Sequence, residues 1–148
     1  MKNIRKAKVH DLARIAEIFI FNYRMNFYPI FKNDDYYFCE LQVPKVMKEY
    51  ENYIDNIWVY DDGAVKGFIQ TGNGEIERLF VEPVFQGNSI GSMLLRYAVD
   101  NLGAKTLWVL EKNLRAVRFY EKHGFWVTTD KKYEDGTTEY LLRMELKT

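Results

Sequence analysis

The stretch Glu75–Asp100, EIERLFVEPVFQGNSIGSMLLRYAVD, changes character twice. It opens as a strand, EIERLFVEP, stopped by Pro83, and closes as an amphipathic helix expected from about Ile90 to Asn101, with Gly103 as its C-terminal stop. Between them lies a turn of little bulk: Gln86, Gly87, Asn88, Ser89, Ile90, Gly91 and then Ser92. Two readings of this turn compete. A tight strand-to-helix connection needs glycine for its backbone angles. A helix start also carries unpaired N–H donors and the positive end of the helix dipole, which suit an anion such as phosphate.

Working outward, Asn3 to Lys8 reads as an edge strand. Asp11 reads as the cap of a helix carrying Leu12, Ile15, Ile18, Phe19 and Asn22 at helical spacing and ending near Asn26, before Pro29. Phe27 to Phe38 is crowded with aromatics, and a second helix through Val46, Met47 and Tyr50 starts near Pro44 or earlier. NIWVYDDGAVKGFIQTG then shows two apolar runs around Asp61-Asp62-Gly63, a hairpin signal. After the deciding stretch come a short strand, KTLWVL, a helix in NLRAVRFYEKHG closed by Gly124, and a hairpin turning at Asp135-Gly136. Helices first, an antiparallel meander next and βα units last predict a single α/β domain over residues 1–148, its mixed sheet covered by helices on both faces.

Composition bounds the function. The 148 residues carry 21 Lys plus Arg against 21 Asp plus Glu, so net charge gives no nucleic-acid footprint. One cysteine, Cys39, excludes an internal disulfide and a multi-cysteine metal site, and is expected to be a small buried apolar residue. MKNIRKAKVHDL lacks the apolar run of a signal peptide, and no stretch has the continuous apolar length of a membrane span. A soluble cytoplasmic protein without membrane contact is expected, with a homodimer as the default assembly.

A second stretch carries its own pattern. In LEKNLRAVRFYEKHGF, Asn113, Ala116 and Tyr120 share one helix face. Asn113 can be an N-cap, Ala116 a close-packing residue and Tyr120 a core aromatic; equally, Asn, Ala and Tyr make an odd stripe for a core-facing side. Taken together, a strand, a Gln-x-x-Ser-x-Gly turn and a helix, followed by a buried strand and Asn-x-x-Ala-x-x-x-Tyr-x-x-x-Gly-Phe, resemble the GNAT superfamily of N-acetyltransferases, in a small bacterial-type form. The specific part runs from Glu75 to Phe125; the N-terminal third matches by pattern only.

The resemblance implies a GNAT-like, largely antiparallel sheet and acetyl-coenzyme A as co-substrate. It implies that the turn from Gln86 to Ser92 cradles the pyrophosphate with backbone amides. Leu79, Phe80 and Val81 would offer backbone groups to the pantetheine arm, Asn113 would hydrogen-bond that arm, Ala116 would permit close approach, and Tyr120 would be the general acid. One position departs from the family pattern: Ser89 replaces the first signature glycine. Serine costs stability there if a positive φ is needed; otherwise its hydroxyl adds a phosphate contact.

Acetyl transfer needs a neutral amine, a donor for the tetrahedral oxyanion and a proton for the leaving thiolate. No metal is required. Glu75 and Glu77 are candidate bases; two apart on one strand, they are expected to share a face with Leu79. A solvated strand end is the plain alternative for each. The acceptor is expected to be an amine, of a small molecule or a peptide, met by the aromatic stretch Phe27 to Phe38, with Asp34, Asp35 or Glu40 drawing in its positive charge. Two other classes stand beside the enzyme: a non-catalytic acyl-coenzyme A sensor or partner module, and an unrelated α/β nucleotide binder.

Overall fold

The structure is a computed structural model that describes residues 2–147. Its sheet follows directly from the alternation of apolar runs and turns. β1 (Ile4–Lys6), β2 (Ile57–Asp61), β3 (Val65–Gly72), β4 (Glu75–Val81), β5 (Thr106–Leu110), β6 (Phe125–Tyr133) and β7 (Tyr140–Leu146) form one seven-stranded sheet in the order β1-β2-β3-β4-β5-β7-β6. Every pairing is antiparallel except β4 with β5. The helices are α1 (Leu12–Asn26), the single turn α2 (Tyr28–Phe31), α3 (Val43–Tyr50), α4 (Ile90–Asn101) and α5 (Leu114–Lys122). Among the described residues no helix is long and apolar enough to cross a membrane.

Two cores lie on opposite faces of the sheet. Ile69, Ile76, Leu94, Leu95, Leu107, Tyr120 and Met144 pack under α4 and α5. Ile15, Ile18, Phe19, Val46, Tyr50, Val59 and Phe68 pack under α1 and α3. Adjacent β3 residues Phe68 and Ile69 go to different cores, as a strand's alternation dictates. Gly67 lets α4 approach β3: a Cβ there would stand 3.0 Å from the Phe80 carbonyl oxygen and 3.2 Å from Leu94 Cδ1.

Three local expectations change. Asp11 stands before α1 but does not cap it with its side chain. Its carboxylate turns back to Arg5, at 2.8 and 3.0 Å, and to the Lys8 N–H at 2.8 Å. A buried carboxylate gains more from a bidentate guanidinium than from a single capped N–H. Pro29 does not merely follow the first helix; it sits in α2, in the first turn, where a missing N–H costs nothing. Cys39 is exposed, within a π-helical turn over Tyr36–Glu40 that keeps only Tyr37 buried.

Candidate active site

The pairing of β4 with β5 is short. Only Glu75 with Thr106 and Ile76 with Leu107 are in register; beyond them the strands part. The Glu82 N–H donates to Lys66 O at 2.8 Å, so the even-numbered residues of upper β4 spend their backbone groups on β3. Leu79 and Val81 therefore aim N–H and C=O at the gap. The Val81 carbonyl is taken by the side chains of Asn22, at 3.0 Å, and Gln86, at 3.1 Å. The Leu79 N–H and C=O and the Val81 N–H remain for a ligand. Phe80 does not join them. Its backbone faces β3, and its ring packs edge-on with Phe19, Tyr23 and Phe68.

The turn above the gap is a row of donors. Gly87 has φ 88° and Ser89 φ 66°, both left-handed. Ser89 makes no side-chain cap, and its carbonyl accepts only the Met93 N–H at 3.0 Å. Among the described residues, no N–H from Gly87, Asn88, Ser89, Ile90, Gly91 or Ser92 has a protein acceptor. Six successive free donors at the positive end of a three-turn helix form a site for an anion. Gly91 lies against Phe119 and Val81 with ordinary contact distances for a Cβ, so its bareness is not needed for packing.

Gln86 has another job. Its amide donates to Val81 O and, at 3.2 Å, to Asn22 Oδ1, while Asn22 Nδ2 also donates to Ile18 O at 2.8 Å. Gln86 thus fastens the turn to β4 and α1 and does not face the row of donors. Asn22, fully buried on the apolar stripe of α1, is the part that sequence reasoning passed over. A polar residue on a core face was the available signal.

A cavity of about 840 Å³ runs through the gap and joins the two faces of the sheet. Asn113, Ala116 and Tyr120 line it from α5, Trp108 to Leu110 from β5, and Glu75 to Phe80 from β4. Asn113 does cap α5, its Oδ1 accepting the Ala116 N–H at 3.3 Å, and its Nδ2 engages no described protein acceptor. Tyr120 is buried among Phe119 and Phe125, and its hydroxyl has no hydrogen-bond partner among the described residues. Burial pushes the phenol well above its ordinary pKa, so it keeps its proton at neutral pH.

Glu75 and Glu77 do not share a face with Leu79. The β3–β4 register runs Gln70 to Arg78 and then Thr71 to Ile76, which leaves Glu77 as the extra residue of a β-bulge. Ile76 and Leu79, three apart, accordingly belong to the same core. Glu77 lies on the opposite, α1-facing side, where its Oε2 accepts from Gln70 Nε2 at 2.8 Å; a Cβ on Gly72 would meet its Oε1 at 2.9 Å. Register places Glu75 opposite Gly72, on that same side. The two carboxylates stay together, but facing α1.

Phe27, Phe31, Tyr36 and Tyr37 supply the far wall. Arg24 holds that wall to α1, with Nε donating to Tyr37 O at 2.9 Å, and the Tyr28 hydroxyl bonds Asp34. Asp34, Asp35 and Glu40 do not line the cavity. The lining carboxylates are Glu75, Glu77, Glu134 and Asp135, the last two from the β6–β7 connection. Among the described residues no group of three or more His, Cys, Asp or Glu is placed to hold a metal ion.

A parallel strand pair that parts, a donor-rich helix start in the turn after β4 and a buried phenol in the cavity are the features that set this region apart. Residues 54–127 match the acetyltransferase (GNAT) domain. The peptidyl-lysine N-acetyltransferase YjaB of Salmonella typhimurium is 35% identical over 88 residues, 58% of this chain and 61% of that protein. YjcF of Bacillus subtilis, an uncharacterized N-acetyltransferase, is 30% identical over 105 residues, 66% of this chain and 74% of that protein. The solution structure of apo YjaB from Escherichia coli superposes with a TM-score of 0.72 at 21% identity, covering 96% of this chain and 95% of that one. The chain belongs to the GNAT acetyltransferase family, whose acyl donor is acetyl-coenzyme A.

Proposed function

We propose that the protein transfers the acetyl group of acetyl-coenzyme A to a primary amine by direct attack, with both substrates bound at once. The observation that carries this reading is the row of six unengaged N–H groups from Gly87 to Ser92, in the turn that leads from β4 into α4. The pyrophosphate sits on that row, and the pantetheine arm descends along Leu79 and Val81 on one side and Asn113 on the other. Ala116 leaves room for the arm, and the thioester reaches Tyr120.

The amine enters from the α1 face, beside Glu77 and Glu75. Its lone pair attacks the thioester carbonyl carbon, and the Leu79 N–H stabilises the oxyanion. The amine proton passes to Glu77, the carboxylate held by Gln70, with Glu75 as the alternative base. The tetrahedral intermediate collapses with cleavage of the C–S bond. The thiolate takes the Tyr120 phenolic proton, leaving free coenzyme A and the N-acetyl product. Support for an amine acceptor comes from the activity named for Salmonella YjaB.

Tyr120→Phe tests the reading. It removes one oxygen that bonds no protein group, so stability and coenzyme affinity stay near wild type while turnover falls by ~10²- to 10⁴-fold. Normal turnover in the folded variant would sink Tyr120 as the acid. Absence of transfer in the wild type to any amine, with coenzyme still bound, would support a binding module instead.

A further inference from the structure

The bulge at Glu77 has a second product, because it sets that carboxylate on the α1-facing side, where Arg78 already lies. Arg78 lies on the cavity floor between Phe19, 5.9 Å from its guanidinium carbon to the ring centre, and the phenols of Tyr23 and Tyr50. Its Nη1 donates to the Glu77 carbonyl at 2.8 Å. Its Nε is sealed from solvent and has no partner, and no ion pair engages it among the described residues. Desolvation acts to lower its pKa, but the two phenols and the Glu77 carboxylate more than offset this, so it stays charged. A half-buried guanidinium that lines the cavity, with Nε unengaged and no carboxylate in an ion pair with it, is placed to receive a ligand's carboxylate.

We infer that the acceptor is a free α-amino acid with an apolar side chain, its carboxylate received by Arg78 and its amine by Glu77. This rests on the acetyltransferase reading of the same site. Neighbouring carboxylate and guanidinium groups on one face match a zwitterion whose charges sit on adjacent carbons. Guanidinium binds carboxylate and phosphate alike through its fork of donors. Here Glu75, Glu77, Glu134 and Asp135 all line the cavity, and a phosphate dianion would face four carboxylates. A zwitterion carries no net charge past them. Phe27, Phe31, Tyr36 and Tyr37 receive the apolar side chain.

The test compares phenylalanine, phenylalaninamide and a lysine peptide capped at both ends, each with acetyl-coenzyme A and a thiol reagent. The amide has the less basic amine, so without a carboxylate contact it is the better acceptor. In the wild type, kcat/KM for phenylalanine is expected to exceed that for the amide by ~10- to 100-fold, the worth of one charged hydrogen-bonded pair. Arg78→Lys and Arg78→Gln should narrow or reverse that ratio. Equal or better use of the amide or the peptide by the wild type, or a ratio unchanged in folded Arg78→Gln, overturns the inference and leaves the transferase standing. If none of the three is acetylated, the transferase reading fails for these amines. Thermal shift with N-acetylphenylalanine and its amide then decides Arg78 separately. Stabilisation by the acid alone, lost in Arg78→Gln, upholds the carboxylate contact; equal shifts or none refute it.

Discussion

Ser89→Gly isolates the one place where the proposed coenzyme turn works against the chain's own stereochemistry. Ser89 holds φ 66° and ψ 8°, and its hydroxyl caps nothing. An L-residue in that conformation loses about 1–2 kcal/mol to the clash of Cβ with the following carbonyl. Glycine removes the clash but gains freedom in the unfolded chain, returning about 0.4–1 kcal/mol. The net expectation is a gain of about 0.5–1 kcal/mol, or roughly 1–4 °C in Tm for a chain of this size. Ser89→Ala keeps the strain and loses only an unbonded oxygen, so its Tm stays within about a degree of wild type. Calorimetric melts of wild type and both variants, with and without acetyl-coenzyme A, give the comparison. Since the free N–H groups belong to the backbone, both variants should bind the coenzyme as wild type does. A Ser89→Gly protein that melts no higher, with Ser89→Ala clearly weakened, would show that the hydroxyl does structural work and refute the strain argument. Affinity lost in both would assign the hydroxyl to the phosphate.

Glu77→Gln should lower kcat/KM by ~10²-fold near neutral pH and by less at high pH, where free amine is abundant, as a pH–rate profile would show. Identical profiles for this variant and Glu75→Gln would remove the pair as the base. Asp11→Asn should cost about 1.5–3 kcal/mol, since it breaks a buried bidentate pair with Arg5; chemical denaturation at several pH values measures it. Burial acts to raise the Asp11 carboxyl, but Arg5 and the Lys8 N–H together hold it below the ordinary range. The wild-type advantage is therefore full above about pH 3.9 and is lost as pH falls through the lower folded value. Tyr120, raised by burial, has the opposite sign. Its share of stability is whole below about pH 10 and is lost above, so Tyr120→Phe should flatten the alkaline limb of a stability–pH curve.

Local chemistry made much of this protein readable in advance. The helix expected over Ile90 to Asn101 occupies those residues, and both hairpins turn at the expected Asp-Gly sites. These features rest on short-range rules of period and turn. That Asn113, Ala116 and Tyr120 line one cavity was legible for the same reason, because the helix repeat from the α5 cap fixes their common face. Pairing register is a long-range property, and the bulge in β4 carries no glycine or proline to mark it. Period-two counting from Leu79 therefore put Glu75 and Glu77 on the wrong side of the sheet. The same limit hid that Glu77 shares a face with Arg78, and hid the role of Asn22, whose partners Val81 and Gln86 are about sixty residues away. Cys39 was misplaced because the π-helical turn around it rotates the aromatic run so that Tyr37 alone is buried.

The bulge also shows how one strand could serve both substrates of the proposed reaction. With an unbroken alternation, Glu75 and Glu77 would face α4 and α5 beside Leu79, two carboxylates in an apolar core, at several kcal/mol each. One extra residue turns them outward to the cavity, and Ile76 fills the core in their place. Above the bulge the alternation resumes, so Leu79 and Val81 keep their backbone groups on the open edge that faces β5. On the proposed mechanism, Glu77 would act from the α1 side of the gap and the Tyr120 phenol from the α5 side, with the thioester between them. The proton leaving the amine and the proton reaching the sulfur would then travel on opposite faces of the sheet. Neither residue has to approach the other, and each has its own surroundings: Gln70 holds the Glu77 carboxylate, and Phe119 and Phe125 pack around Tyr120.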